Sequence, residues 1–175
     1  MSYVPTFPFL GGRLRLGVGA RFSAFLSGSG ARFEDVDAPG AIHRLTVDGV
    51  RIYALNAMFI ATVRLAAGLE AGFDIDLAGA ALGPAVNGAY PSADPAFAGT
   101  QRARPRRWNL LLLGDRDLGQ LDSQFFLAWW PGHFGLRAGL SHEITEYVTS
   151  RRLDGGNDRF RSAATRAFLA VAWRI

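Results

Sequence analysis

The sequence predicts an all-β protein, an antiparallel up-and-down barrel formed by one domain over residues 1–175. Apolar and polar residues alternate with period two over segments long enough for barrel strands. Long and short connections follow one another in turn along the chain. There is no cysteine and no apolar stretch of the length that a membrane-spanning helix requires. The sequence therefore favours neither a disulfide framework nor a helical membrane protein.

The first half of the chain alternates most clearly in three segments. In Arg13–Ser27, Leu, Val, Ala and Phe fall on one face, whereas Arg, Gly and Ser dominate the other. Val50–Leu65 and Leu69–Leu82 are sorted in the same way. Because a helix places residues i and i+2 on different sides, this sorting is typical of strands. Each segment therefore predicts one strand.

The second half repeats the pattern in Leu121–Trp129, Phe134–Glu143 and Arg166–Ile175, so six strands are strongly supported. Tight turns are expected at Ala66–Gly68 and Pro131–His133. The remaining connections are expected to be long polar links, namely Gly28–Gly49, Gly83–Pro105 and Ser150–Asp158. This alternation of turns and links is typical of a barrel with one short-turn rim and one loop-bearing rim.

Closing a barrel requires more strands than these six. Eight is the usual minimum for a transmembrane barrel, so the sequence favours eight strands. The additional strands could come from Tyr3–Phe9, Ile42–Val47 or Arg106–Leu113. The Asp48–Gly49 pair is compatible with either a hairpin turn or a bulge within one long strand.

Charges of both signs share the polar face of the predicted strands with glycine and alanine. A narrow lumen needs small residues to accommodate long arginine side chains, and each buried charge needs a partner. We therefore expect the apolar face to contact lipid and the charges to fill the lumen of a transmembrane barrel. The expected luminal charge network consists of Arg15, Arg21, Arg64, Glu70, Asp74, Asp76, Asp122, Arg137, Glu143, Arg166 and Arg174.

Aromatic residues collect near the ends of the predicted strands. Trp129, Phe134 and Trp173 fall near the short-turn rim, and Tyr53 falls near the other rim. Tryptophan and tyrosine are enriched at both surfaces of membranes, so these residues are expected to form interface belts. The last strand carries an apolar residue at every second position up to Ile175.

A resemblance to a known family rests on four segments and the C-terminal strand. The segments are Ala71–Asp76, Asn109–Phe126, Gly135–Tyr147 and Asn157–Arg161. The chain resembles small outer-membrane barrels with the architecture of the OmpA membrane domain, and more narrowly uncharacterised short barrels of Bacteroidota-type bacteria. The resemblance implies an outer-membrane location, contact with outer-membrane lipid and lipopolysaccharide, and insertion by the barrel-assembly machinery. It carries over no catalytic residues. Met1–Leu10 lacks the features of a signal peptide, so an exported chain would begin here at its mature sequence.

No catalytic, cofactor-binding or metal site is expected. Ser141, His142 and Glu143 are consecutive, but on a strand Ser141 and His142 point to opposite faces and cannot form a nucleophile–base pair. Asp74 and Asp76 share the luminal face with arginines, so ion pairing is expected there rather than acid–base chemistry or calcium binding.

The formal net charge is +4, and arginine supplies every basic side chain apart from histidine. The arginines form no single stripe, so no nucleic-acid partner is expected; the Arg102–Arg107 cluster is expected to be a solvated loop. The favoured function is that of a structural or interaction protein with a charge-filled lumen and long extracellular loops, whose partner is unknown. A narrow pore for small solutes and a soluble ligand-binding barrel remain open.

Overall fold

Thirteen β-strands form one antiparallel sheet in the computed structural model, which describes residues 1–28, 30–36 and 43–173. The all-β class is therefore confirmed. No helix in the described ranges is long and apolar enough to cross a membrane. The strands are β1 (Ser2–Tyr3), β2 (Thr6–Phe9), β3 (Leu14–Leu26), β4 (Ala31–Asp35), β5 (Arg44–Val47), β6 (Arg51–Ala66), β7 (Leu69–Leu82), β8 (Val86–Tyr90), β9 (Gly99–Pro105), β10 (Trp108–Leu110), β11 (Leu121–Trp129), β12 (Phe134–Thr149) and β13 (Arg159–Trp173).

Most of these strands are pieces of longer runs. β3 is followed along its run by β4, β5 by β6, β7 by β8, and β9 by β10 and then β11. β12 and β13 are uninterrupted strands of 16 and 15 residues. The runs meet at tight turns after β6 and β11, which define the short-turn end of the sheet. The β4–β5, β8–β9 and β12–β13 connections define the opposite, hairpin end.

The sheet closes into a ring at the hairpin end. There the strands pair in the order β4–β5–β8–β9–β12–β13, and β13 returns to β4 through the pairs Phe160↔Asp35 and Arg161↔Glu34. Nearer the short-turn end the order is β3–β6–β7–β11–β12–β13. The result is a barrel-like sheet of six runs, and the expected count of eight stays a prediction.

The N-terminal strand predicted at Tyr3–Phe9 is present as β1 and β2, which pair with the edge of β3 that faces away from β6. Two glycines of β3 allow this close approach. A Cβ atom on Gly17 would lie 2.5 Å from the Pro5 carbonyl oxygen, and one on Gly19 would lie 2.1 Å from that of Tyr3. β5 and β10 occupy parts of the other two predicted segments, and Ile42 lies outside the described residues.

Two predicted polar links are wrong. Gly28–Gly49 contains β4 and β5, and Gly83–Pro105 contains β8 and β9. The prediction of a loop at Arg102–Arg107 is wrong for the same reason, because Arg102 and Arg104 lie on β9, although Arg102, Arg104 and Arg107 are solvent-exposed as expected. These short strands are ordered by pairing with one another and with β12 and β13, which is a non-local effect. In Ser150–Asp158 the one regular element is the short turn Asp154–Gly156.

The ring at the hairpin end encloses an apolar core. Its largest fully buried side chains include Tyr90 and Tyr147, and burial raises the pKa of Tyr147 to about 12. Burial, together with Asp154, which accepts a 3.2 Å hydrogen bond from the Tyr90 hydroxyl, raises the pKa of Tyr90 to about 12. The buried members of this core are Phe33, Leu45, Val47, Val50, Ile52, Ala54, Ala81, Tyr90, Ala103, Tyr147, Leu153 and Phe160.

Gly139 on β12 provides a test of how closely β11 and β12 approach. A Cβ atom there would lie 1.9 Å from the Phe125 carbonyl oxygen, whereas one on Gly132, in the turn, would meet no atom within 4 Å. We expect Gly139→Ala to lower the free energy of unfolding by about 1–3 kcal/mol through overpacking. Gly132→Ala should leave it nearly unchanged. Equilibrium urea unfolding measures both, and equal effects would contradict this packing.

Candidate functional site

The long strands expose apolar side chains on one face and bury polar ones on the other. On β3, Val18 is 57% exposed, whereas Arg21 is only 5% exposed. On β6, Tyr53 and Leu55 are exposed, whereas Asn56, the residue after Leu55, is buried. The face that a water-soluble barrel would turn inward is thus turned outward, and the charged face lines the interior.

Arg21 lies at the centre of the interior and contacts three carboxylates. Its guanidinium forms a short ion pair with Asp74, and it lies 2.9 Å from a carboxylate oxygen of Asp122 and 3.4 Å from one of Asp76. It also donates a hydrogen bond to the Asp122 carbonyl oxygen at 3.2 Å. Arg21 therefore connects β3 to β7 and β11 across the interior of the sheet.

A second arginine shares one of these carboxylates. Arg137 on β12 donates from Nη2 to Oδ2 of Asp74 at 2.6 Å, and the guanidinium of Arg137 lies over the Phe126 ring, 3.6 Å from its centroid. Asp74, whose side chain is fully buried, bridges the two guanidinium groups. We call Arg21, Asp74, Asp76, Asp122 and Arg137 the ionic cluster.

Neutral polar side chains add hydrogen bonds around the ionic cluster. Asn56 donates to Asp76 at 2.8 Å, and Asn109 donates to Asn56 at 2.7 Å. The Gln120 backbone N–H donates to Asn109 at 2.9 Å. Ser141 donates to Asp122 at 2.5 Å. Asn109 and Gln120 were not predicted as members of this network, because Asn109 lies on a strand of only three residues and Gln120 lies in the irregular chain before β11; their burial shows only in the fold.

The remaining residues of the predicted network lie outside the ionic cluster. Arg15 and Glu70 form a separate pair at 3.5 Å nearer the short-turn end. Glu143 pairs with Arg166 at 3.6 Å, but the Arg166 side chain is 61% exposed. Arg64 is exposed at the end of β6 and does not join the cluster. Arg174 lies outside the described residues.

The four aromatic residues predicted at the rims are all exposed on the outer face. Phe134 and Trp173 are cross-strand partners at the short-turn end, with ring centroids 4.5 Å apart. Trp129 lies on β11 beside them, opposite Leu136. Tyr53 lies near the hairpin end of β6 and stacks on Phe22 at a centroid distance of 6.3 Å.

A second ionic group lies on the outer side of β12 and was not found from the sequence. The Glu146 side chain is fully buried and pairs with Arg106 at 3.1 Å and Arg159 at 3.0 Å. Arg159 and Arg161 also donate to the Asp117 carbonyl oxygen, so the segment that follows β10 packs over this group. The sequence does contain one signal for this group: Glu146 is a carboxylate at a position of β12 where the period-two pattern expects an apolar residue.

The described residues do not bring Ser141 and His142 together as a nucleophile–base pair. Ser141 bonds Asp122 in the interior, whereas His142 lies on the outer face with a ring nitrogen 3.0 Å from the Thr165 hydroxyl. In the described part of the chain, no group of three or more histidine and carboxylate side chains could hold a metal ion.

Comparison with known proteins identifies no relative of this chain. Neither family models nor curated proteins nor solved structures gave a match. Function is therefore inferred from the two faces of the sheet and from the ionic cluster between them.

Asp74→Asn should destabilise the fold strongly, because it leaves two buried guanidinium groups without their shared anion. Breaking a buried ion pair in this way typically costs about 3–5 kcal/mol. Glu143→Gln is the matched control, since its partner Arg166 is largely exposed. We expect the control to cost less than about 1 kcal/mol. Urea unfolding followed by circular dichroism compares the two, and similar small losses would refute the bridging role of Asp74.

Proposed function

We propose that this chain is a bacterial outer-membrane β-barrel that acts as a structural or interaction protein, with a filled interior and no catalytic site. The observation that carries the proposal is the arrangement of the two faces. Charged side chains are paired in the interior, while uncharged side chains cover the outside of β3 from Leu14 to Leu26 and of β6 from Tyr53 to Leu65. In a membrane barrel the outer face contacts hydrocarbon, and the interior is polar.

The outer apolar surface is continuous across neighbouring strands. The outward residues of β6 from Tyr53 to Leu65 carry no charge, and neither do those of β3 from Leu14 to Leu26. Strand register places Val18 beside Phe59, and Phe59 beside Ile75. Soluble monomers rarely expose contiguous apolar patches larger than a few hundred Å², so a surface of this kind favours lipid contact. It also argues against a soluble ligand-binding barrel.

The height of the apolar band fits a bilayer. Tyr53 and Leu65 are twelve residues apart on β6, which corresponds to about 40 Å along a strand at about 3.3 Å per residue. A strand tilted by about 45° would therefore cover about 28 Å along the membrane normal, close to the thickness of the hydrocarbon core. We call the outer face between these levels the apolar band.

Both borders of the apolar band carry aromatic side chains. Trp129, Phe134 and Trp173 lie at the short-turn border, and Tyr53 lies at the other border together with Trp108, which is exposed on β10. Aromatic side chains of this kind prefer the membrane–water interface. In the proposed orientation the closed ring of β4, β5, β8, β9, β12 and β13 stands outside the membrane, where it can contact lipopolysaccharide or an extracellular partner.

Three layers of side chains fill the interior, which favours a closed anchor over a pore. The apolar core of the ring lies at the hairpin end, and the ionic cluster lies below it. A third layer around Ile60, Phe126 and Ala128 packs with Trp130 and Phe168. Paired charges in the middle layer would have to separate before ions could pass.

Two exposed alanines allow the membrane location to be tested with one substitution. Ala138 lies in the apolar band on β12, and Ala89 lies on β8 in the ring. An arginine at the midplane of a bilayer costs about 2–4 kcal/mol in barrels, whereas exposed substitutions in water cost about 0.5 kcal/mol or less. We expect Ala138→Arg to destabilise the chain refolded in lipid vesicles by about 2 kcal/mol or more, and Ala89→Arg to have little effect.

The control for this comparison is refolding without lipid or detergent. The wild-type chain should then fail to form a heat-modifiable band on a gel. A soluble, folded monomer in plain buffer, with both arginine variants equally stable, would rule out the membrane proposal.

The filled interior predicts that the barrel conducts poorly. Purified wild-type protein in a planar bilayer should show no stable single-channel conductance at neutral pH. Asp74→Asn breaks the central pairing and serves as the comparison, since any rise in current should appear in this variant first. A steady open channel in the wild-type protein would instead support the narrow-pore function.

A further inference from the structure

Exposed arginines lie next to the border of the apolar band that is nearer the hairpin end, and no role has been assigned to them so far. We propose that Arg51, Arg104 and Arg107, which we call the arginine collar, bind the phosphate groups of anionic lipid headgroups in the leaflet at the hairpin end. This inference rests on the proposed membrane location and adds a lipid class and a binding surface to it.

Along β6 the outward residues change in the order expected at a membrane surface. Arg51, Tyr53 and Leu55 follow one another at every second position, and all three are exposed. A charged side chain thus lies one outward position above the aromatic residue, and apolar side chains begin one position below it. A membrane surface presents headgroups, interface and hydrocarbon in this same order.

The run formed by β9 and β10 shows the same order independently. Arg104 is exposed on β9, between the buried Ala103 and Pro105, and it is followed by the exposed Arg107. Trp108 and Leu110, both exposed, come next on β10. Two runs that are distant in sequence therefore place the border at an aromatic residue and place arginine beyond it.

β7 brings the two runs together. Leu82 of β7 pairs with Tyr53 of β6, and Ala81 donates a 2.8 Å backbone hydrogen bond to the Arg107 carbonyl oxygen on its other side. Arg51 and Arg107 therefore flank the end of β7, about 10 Å apart across two inter-strand spacings and displaced along the strands by about three residues, or about 10 Å. This spacing lets the collar contact one headgroup or two adjacent ones.

The collar arginines are available for a ligand. Within the described ranges none of the three pairs with a carboxylate within 4.0 Å, whereas the neighbouring Arg106 pairs with Glu146 at 3.1 Å. The planar guanidinium group donates two parallel hydrogen bonds to phosphate oxygens and retains its charge at all physiological pH values. Each arginine near an anionic membrane surface adds to the attraction for anionic lipid, so a cluster gives measurable lipid selectivity.

A probe next to the collar can report which lipid lies there. The chain has no cysteine, so Leu82→Cys provides a single attachment site for a fluorophore, and Leu82 is 71% exposed between Arg51 and Arg107. The labelled barrel is refolded into equimolar phosphatidylglycerol and phosphatidylcholine vesicles. In paired samples one or the other lipid carries a bromine quencher on its acyl chain.

We expect phosphatidylglycerol to quench the probe at least about twofold more efficiently than phosphatidylcholine, and the excess to shrink in high salt. Arg104→Gln/Arg107→Gln should bring the ratio close to one. The matched control is Arg13→Gln/Arg64→Gln, which removes two exposed arginines from the short-turn end and should leave the ratio unchanged.

The outcomes separate this inference from the membrane proposal on which it rests. Quenching by neither lipid would mean that position 82 does not face a bilayer, and both proposals would fail. Equal quenching by the two lipids in the wild-type protein would overturn the arginine collar alone. A ratio that persists in Arg104→Gln/Arg107→Gln but falls in the control would also overturn it.

Discussion

The bridge from Arg21 through Asp74 to Arg137 is the constraint on which the rest of the structure depends. A buried charge is costly unless its partner lies within hydrogen-bonding distance, so β3, β7 and β12 must face one another across a narrow interior. The charges occupy the inner face, and period-two geometry then places the alternate apolar residues outside. The pairing of two arginines with one aspartate thus determines both the width of the barrel and the character of its surface.

The interior changes character along its length. At the hairpin end, the ring encloses Phe33, Tyr147 and Phe160 as a water-soluble domain would. Around the ionic cluster the arrangement is inverted, with charges inside and apolar side chains outside. The inversion lies within the long strands: on β6 the inward residues change from Ile52 and Ala54, which belong to the apolar core, to Asn56, which bonds Asp76 of the ionic cluster. The position of the inversion marks where the proposed membrane would begin.

Period-two alternation was sufficient to predict β3, β6, β7, β11, β12 and β13, and it assigned Arg21, Asp74 and Arg137 to one face. It could not find β4, β8 and β9, which have five to seven residues each and are ordered by partners distant in sequence, whereas β5 lies within the candidate segment Ile42–Val47. The same limit hid Asn109, whose strand of three residues gives no periodic signal. The burial of Glu146 depends on a segment that packs over it from outside, so local sequence does not encode it.

Lipid accessibility along β6 tests the inverted arrangement most directly. Single cysteines introduced at each position from Tyr53 to Val63 would carry a fluorophore, and a quencher confined to the hydrocarbon core of the bilayer would report lipid contact. Quenching should alternate with period two, strong at Leu55 and Ala57 and weak at Asn56 and Met58, which are buried. Uniform quenching, or stronger quenching at Asn56 and Met58, would show that the charged face does not line the interior.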